Sequence, residues 1–319
     1  MNILISGSLA FDRLASYPGL FKDSILEGRL DILNISFVVD SVERVHGGTA
    51  GNIAYNLSLL GEKPLILSSL GKDPDGGDYL RKIQSWGLSV DGINLSEELP
   101  TAGCYIATDR DNNQLAFFHS GALDSPSPFQ PEKLPSGPGD SLALVGPGGR
   151  EDMLRLSREY RRLKIPFILD PGQQIPVFTG SELLSMLEGA LLLITNEYEL
   201  DLFLQKTALK QRDLFSLARA LITTFGSRGS RLLDKESERQ IAAVPVTRAL
   251  SPTGAGDAYR GGLLKGLSRG LPLLNCCRLG AVTAAYCVEA PGTQGQVFTL
   301  DEVKERYRSA FQEELPLAD

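Results

Sequence analysis

The stretch SPTGAGDAYRGG, residues 251–262, sets Gly254, Ala255 and Gly256 directly before Asp257. Beyond it Ala258, Tyr259, Gly262, Leu263 and Leu267 recur at helical spacing, so the pattern predicts a helix starting near Gly254–Gly256. The first N–H groups of a helix have no partner within it. Glycines let a bulky anion approach those groups, and the helix dipole favours phosphate there. A carboxylate beside a phosphate is electrostatically awkward, unless it must take a proton from an attacking hydroxyl. The plainer reading is a glycine-entry helix with Asp257 as a first-turn acid. This stretch alone leaves both open.

Other residues could join such chemistry. In VHGGTAGN (45–52), Gly47 and Gly48 permit close backbone approach and Asn52 can hydrogen-bond a ligand from the following helix. The cluster lacks the G-x-G-x-x-G spacing of a dinucleotide site and also reads as a simple turn. In SGSLAFD (6–12), Asp12 falls just past a first strand, where ligands of open α/β sheets bind. A carboxylate there can accept two hydrogen bonds from vicinal sugar hydroxyls, or can be a solvated loop acid. In TNEYE (195–199), Asn196 and Glu199 stand three apart at a helix start. Their oxygens suit a hydrated magnesium ion, and equally a capping box. TTFGSRGS (223–230) reads as a strand, a glycine turn and a second strand. There is no Walker A pattern and no G-x-S-x-G elbow.

The elements that must position these residues alternate between strand and helix. Strands are expected at NILISGS, PLILSSLG, LALVG, PFILD, ALLLIT and ALITTFG, with helices between them. That alternation predicts a parallel sheet covered on both faces. Two parts break it. Residues 29–45, RLDILNISFVVDSVERV, read as one long edge strand, and 101–119 as two strands around a polar turn at 109–113. Both look antiparallel and pair as a small sheet outside the main body, a lid. Residues 125–140 are a Pro-, Ser- and Gly-rich loop.

Composition narrows the function classes. The 319 residues carry a net charge of −7, which excludes a global field for nucleic acid or an anionic membrane. Four cysteines form no framework, which suits a reducing, cytoplasmic setting. With two histidines, a His-based metal site is not expected.

As a set, Asp12, Gly47–Gly48 with Asn52, Asn196–Glu199, the TxGxxG at Thr224, Gly226 and Gly229, and TGAGD from Thr253 to Asp257 resemble the ribokinase-like, or PfkB, kinases nearly end to end. Within that family, DPGQQ (170–174), DAYRGG and EAPGTQGQVFT (289–299) look most like the bacterial adenosine kinase-like branch. The resemblance implies one three-layer α/β/α domain over residues 1–319, with residues 13–45 and 101–119 as its β-lid. It implies transfer of the γ-phosphoryl of ATP to a primary hydroxyl, most readily the 5′-hydroxyl of adenosine. Asp257 would be the base, and the amides of Gly254, Ala255 and Gly256 the anion hole. Asn196 and Glu199 would hold magnesium through water. Asn196, Thr224, Gly226, Gly229, Thr253, Gly254 and Gly256 would bind ATP. Asp12, Gly47, Gly48 and Asn52 would hold the ribose, and Phe37 and Phe118, each in an expected lid strand, would cover the base. A free sugar is the other acceptor considered, and a non-catalytic nucleoside- or sugar-binding member a further reading. No nucleic acid or membrane partner is expected, and the chain is expected as monomer or homodimer. Relatives often carry Asp at the position of Ser251, near a monovalent-cation site; Ser251 removes that charge and puts activation by potassium in question.

Overall fold

The computed structural model describes residues 1–24 and 34–317. The chain opens with β1 (Asn2–Ser6), β2 (Ala10–Ser16), the short α1 (Phe21–Ser24), β3 (Ser41–Gly47) and α2 (Thr49–Leu59). Next come β4 (Leu65–Gly71), α3 (Pro74–Ser85), β5 (Ile93–Ser96), β6 (Ala102–Thr108) and β7 (Gln114–His119). The middle holds β8 (Ser141–Val145), α4 (Arg150–Arg162), β9 (Phe167–Leu169), α5 (Gly180–Leu187), β10 (Ala190–Asn196) and α6 (Glu197–Thr207). The chain finishes with β11 (Ala218–Thr224), β12 (Ser230–Asp234), β13 (Glu238–Ile241), α7 (Ala255–Ser268), α8 (Leu273–Val288) and α9 (Leu300–Phe311).

A large sheet runs β13-β12-β11-β10-β9-β8-β1-β4-β5, parallel except for the hairpin strands β12 and β13 at one edge. Its strands are continuous apolar runs because both faces are covered. Ile3 and Ile5 of β1 pack with α2, α3 and α7–α9 on one side. Leu4 of the same strand joins α4–α6 on the other. The result is three layers. Chain order reverses between β1 and β8, the switch point where such sheets open a crevice beyond their strand ends.

The smaller sheet has the order β3-β2-β6-β7. Its β2–β3 and β6–β7 pairs are antiparallel, as expected, but β2 and β6 join them in parallel. Alternation along a strand shows which side chains share a face and says nothing of the partner's direction. The long edge strand expected over 29–45 is shortened to Ser41–Gly47. Its partner β2 ends at Ser16, just before Pro18 and Gly19, and Asp40 N–H makes the last link, to Ser16 O at 2.9 Å. Residues 34–40 therefore lie outside the ladder, and the beginning of that stretch, 29–33, lies outside the described residues. Two further placements change. Asp12 sits within β2, not in a loop after β1. Phe37 is not in a strand; it packs on Tyr17 and Phe21, with ring centroids 4.8 and 5.0 Å away.

Register assigns the two faces of this sheet. Asp12 stands opposite Cys104, and Cys104 opposite Phe118, so the three share one face. Phe11, Arg13, Tyr105 and Phe117 take the other face. There Arg13 and Arg44 form ion pairs with Asp75 of α3, and Arg44 also reaches Asp78 at 2.7 Å. Arg13, next to Asp12 in the chain, and Arg44, opposite Arg13 on β3, thus tie the small sheet to the body from behind.

Candidate active site

A cleft of about 830 Å³ opens at the C-terminal ends of the parallel strands. Asn196 closes β10 on it and Thr224 closes β11, while Asp170 follows β9. Gly226 and Gly229 line it from the turn between β11 and β12. Its apolar flank, including Val244, Pro245, Ala281, Ala285 and Val288, comes from the segment before α7 and from α8.

Helix α7 points its N-terminus into the cleft. Its cap, Gly254, has φ 84°, a left-handed conformation that β-carbon-bearing residues rarely adopt. A Cβ there would also lie 3.0 Å from Thr293 Cβ. The N–H groups of Gly254, Gly256 and Asp257 have no acceptor among the described residues, which leaves them for an anion. Ala255 corrects the expected set: its N–H donates to Pro252 O at 3.2 Å, closing the turn that leads into the helix. Thr253 is exposed and lies outside the residues lining the cleft. Its N–H bonds Ser251 Oγ at 3.3 Å, so Ser251 works as a turn-former.

Asp257 is part-buried at the foot of the cleft, and loss of hydration pushes its carboxyl up to about 7. A hydrogen bond from Asn52 Nδ2, 2.8 Å from Oδ2, and the charge of Arg260 act the other way. A group poised there holds a proton acceptor near neutrality. We expect kcat/KM for the acceptor to rise by about tenfold per pH unit on the acid side and to level off near the pKa of Asp257. A pH profile with no acid limb in the range from 5 to 8 would remove this assignment.

Beneath the helix start, Arg260 grips Asp170 with two hydrogen bonds, Nη2 to Oδ1 at 2.7 Å and Nε to Oδ2. They are 6% and 1% exposed. Arg260 Nη1 also donates to Gly256 O at 3.0 Å, bracing the turn that carries the free amides. Asn196 and Glu199 form the capping box of α6: Glu199 N–H to Asn196 Oδ1 and Asn196 N–H to Glu199 Oε2, each 2.8 Å. Both still border the cleft, and burial together with Asp170 holds the Glu199 carboxyl above its ordinary range. Among the described residues no cluster of three or more His, Cys, Asp or Glu could grip a metal directly.

The small sheet covers the other side. Asp12 lies over Gly47, where a Cβ would stand 2.5 Å from Asp12 Oδ2 and would push the carboxylate aside. Burial pushes the Asp12 carboxyl up to about 6. Gly48 caps α2, and Asn52, one turn on, reaches Asp257 across the molecule. Phe118, 49% exposed, shares Asp12's face, whereas Phe117 points away.

The open glycine helix start and the capped N-x-x-E therefore line one cleft, and Asn52 is tied to it through Asp257, whereas Asp12, Gly47, Gly48 and Phe118 lie outside its lining. The pfkB family carbohydrate kinase model matches residues 30–299. The chain belongs to the pfkB family. This pfkB kinase is 31% identical to a nucleoside kinase of Methanocaldococcus jannaschii, over 86% of this chain and 89% of that one. It is 34% identical to the Burkholderia thailandensis nucleoside kinase solved in complex with inosine, with TM-score 0.86 and coverage of 98% and 99%. The same protein in complex with ADP-inosine superposes with TM-score 0.84 at 35% identity. An acarbose 7(IV)-phosphotransferase of an Actinoplanes species is 27% identical, over 92% of this chain and 94% of that one.

In this pfkB kinase Arg260, Asp170 and Gln294 stand within the motifs DAYRGG, DPGQQ and EAPGTQGQVFT, whose spacing alone assigns them no role. A basic residue three positions after Asp257 on a helix with buried neighbours was the available signal for Arg260. Tyr79 and the apolar cleft wall had none.

Proposed function

We propose that this pfkB kinase is an ATP-dependent nucleoside kinase, transferring the γ-phosphoryl to the 5′-hydroxyl of a purine nucleoside, with adenosine giving AMP. The observation that carries the reading is the row Asp12–Cys104–Phe118, whose register puts a carboxylate and an aromatic ring on one face. Asp12, Gly47 and Gly48 would hold the ribose, and Phe118 would stack on the base. Phe37 would act from its packed position beside Tyr17 and Phe21. The nucleotide would take the cleft along Thr224, Gly226 and Gly229, its base against the Val244–Val288 wall.

Asp257 accepts the proton of the acceptor hydroxyl as that oxygen bonds to the γ-phosphorus and the bond to the β-phosphate oxygen breaks. The amides of Gly254, Gly256 and Asp257 face the charge on the transferring phosphoryl. Glu199 and Asn196 fit a hydrated cation: a half-buried carboxylate beside Asp170 gains from one, and their spacing admits waters between. Magnesium, when bound, would neutralise phosphate charge. Ser251 brings a hydroxyl and no charge where relatives often carry Asp, which supports a weak dependence on potassium.

A panel of adenosine, inosine, cytidine, ribose and fructose, each with ATP and magnesium, with and without potassium, tests the reading. Turnover is expected on purine nucleosides, and turnover on free sugars alone would overturn it. The Asp12→Ala variant is expected to raise KM for the nucleoside while leaving KM for ATP near wild type. An unchanged nucleoside KM would take Asp12 out of the acceptor site.

A further inference from the structure

A chain of hydrogen bonds runs from a backbone carbonyl to Asp257, and its direction is forced at each link. The carbonyl of Gly47 can only accept, so Tyr79 O–H, 2.7 Å away, donates to it. The Tyr79 oxygen has then used its one proton, and it accepts from Gln294 Nε2 at 3.1 Å. That places the amide nitrogen of Gln294 toward Asn52, where it donates to Oδ1 at 2.9 Å. Asn52 is left with Nδ2 facing Asp257 Oδ2. Turning the Gln294 amide over would draw Asn52 Nδ2 toward it and press Asn52 Oδ1 against the Asp257 carboxylate, acceptor against acceptor. In the observed orientation Gln294 Oε1 is buried with no partner among the described residues. An unpaired buried acceptor is costly, so the orientation is held by its two donations. The segment carrying Gln294 is itself docked, by Thr293 Oγ1 to His46 O at 3.0 Å and Gln296 Nε2 to Asn56 Oδ1 at 3.0 Å.

We infer that Gln294, anchored by Tyr79, is a positioning residue for phosphoryl transfer: it fixes the Asn52 amide so that an N–H always faces Asp257. The inference rests on the reading of Asp257 as the base. The charged and titratable groups around Asp257 are Arg260 on its own helix, Asp170 after β9, Asp12 on β2, Cys287 on α8 and Tyr79 on α3. None lies on the Gln294 segment; because that segment also meets Tyr79 and, through Thr293, Gly254, the route through Asn52 is the one that the double variant must isolate.

The test compares kcat, KM for ATP and the acid limb of kcat/KM in wild type, Gln294→Leu, Tyr79→Phe, Asn52→Ala and the Gln294→Leu/Asn52→Ala pair. Gln294→Leu is expected to lower kcat by about tenfold or more while KM for ATP stays within about twofold. Its acid limb moves to higher pH, because the donor that favours the ionised carboxylate is no longer held in place. In the Asn52→Ala background the same substitution should change kcat by less than about twofold. Tyr79→Phe removes one oxygen, keeps the ring and should act in the same direction, which covers the case of a poorly folded Gln294→Leu. An undiminished effect in the Asn52→Ala background, or an unmoved acid limb, overturns the inference. With an inactive Asp257→Asn those outcomes overturn it alone; near-wild-type turnover by Asp257→Asn overturns the proposed base and this inference together.

Discussion

Asp257→Asn is expected to keep the fold and to lose about 10²–10⁴-fold in kcat. The asparagine has the same shape and can still offer an oxygen to Asn52 Nδ2, so the contact between α2 and α7 survives. What it cannot do is take the hydroxyl proton. Stability should move the other way from activity. The Asp257 carboxyl is raised to about 7, so its ionised form is disfavoured by the fold. The stability tied to its protonated form is present below the ordinary carboxylate pKa and is lost as pH rises through the folded value. Asparagine has no such penalty, and at pH 8 the variant should melt no lower than wild type. Coupled detection of ADP release and a thermal melt measure the two effects. Wild-type turnover would sink the base assignment, and a collapsed melting curve would show that the carboxylate serves the fold instead.

Asp170→Leu is expected to be the most destabilising single change at the site. It leaves the Arg260 guanidinium, 6% exposed, without its bidentate partner. Breaking a buried pair from one side costs about 3–5 kcal/mol, since an uncompensated charge remains. In a domain of this size each kcal/mol shifts Tm by roughly 1–2 °C, so a loss of about 5–7 °C is expected. Replacing both partners, Asp170→Leu with Arg260→Met, should recover most of the melting temperature, because no charge is then stranded. It should not recover turnover, since the brace on Gly256 O and the positive charge beside Asp257 are both gone. A wild-type Tm for Asp170→Leu would show that the pair is not needed for stability. Full activity in the double variant would make it scaffold only.

Several site features were legible because their causes are local. A left-handed glycine at a helix entry, a capping box at Asn196–Glu199 and a hairpin at TTFGSRGS depend on residues within a few positions of one another. The capping box is instructive: both readings of N-x-x-E hold in one place, since the hydrogen bonds that start α6 also carry Glu199 to the cleft. The alternation of apolar runs foretold a covered parallel sheet, because strands buried on both faces cannot be written otherwise. The small sheet was less legible. Its strands β6 and β7 and their polar turn were readable, but the extent of β3 depended on where β2 stops. Phe37 was misplaced with it.

By itself, then, the sequence determined the class of sheet, the helix that opens with free amides, and the types of residue at the strand ends. Only the tertiary structure decided which of them meet. Asn52 and Asp257 lie 205 positions apart, Asp170 and Arg260 90, and Asn52 and Gln294 242. Such contacts follow from the order of strands and the packing of helices over them, which no local spacing encodes. The orientation of the Asn52 amide depends on a tyrosine, a glutamine and a backbone carbonyl brought together by three separate segments. A side chain's donors and acceptors are known from its type; where they point is settled by its neighbours.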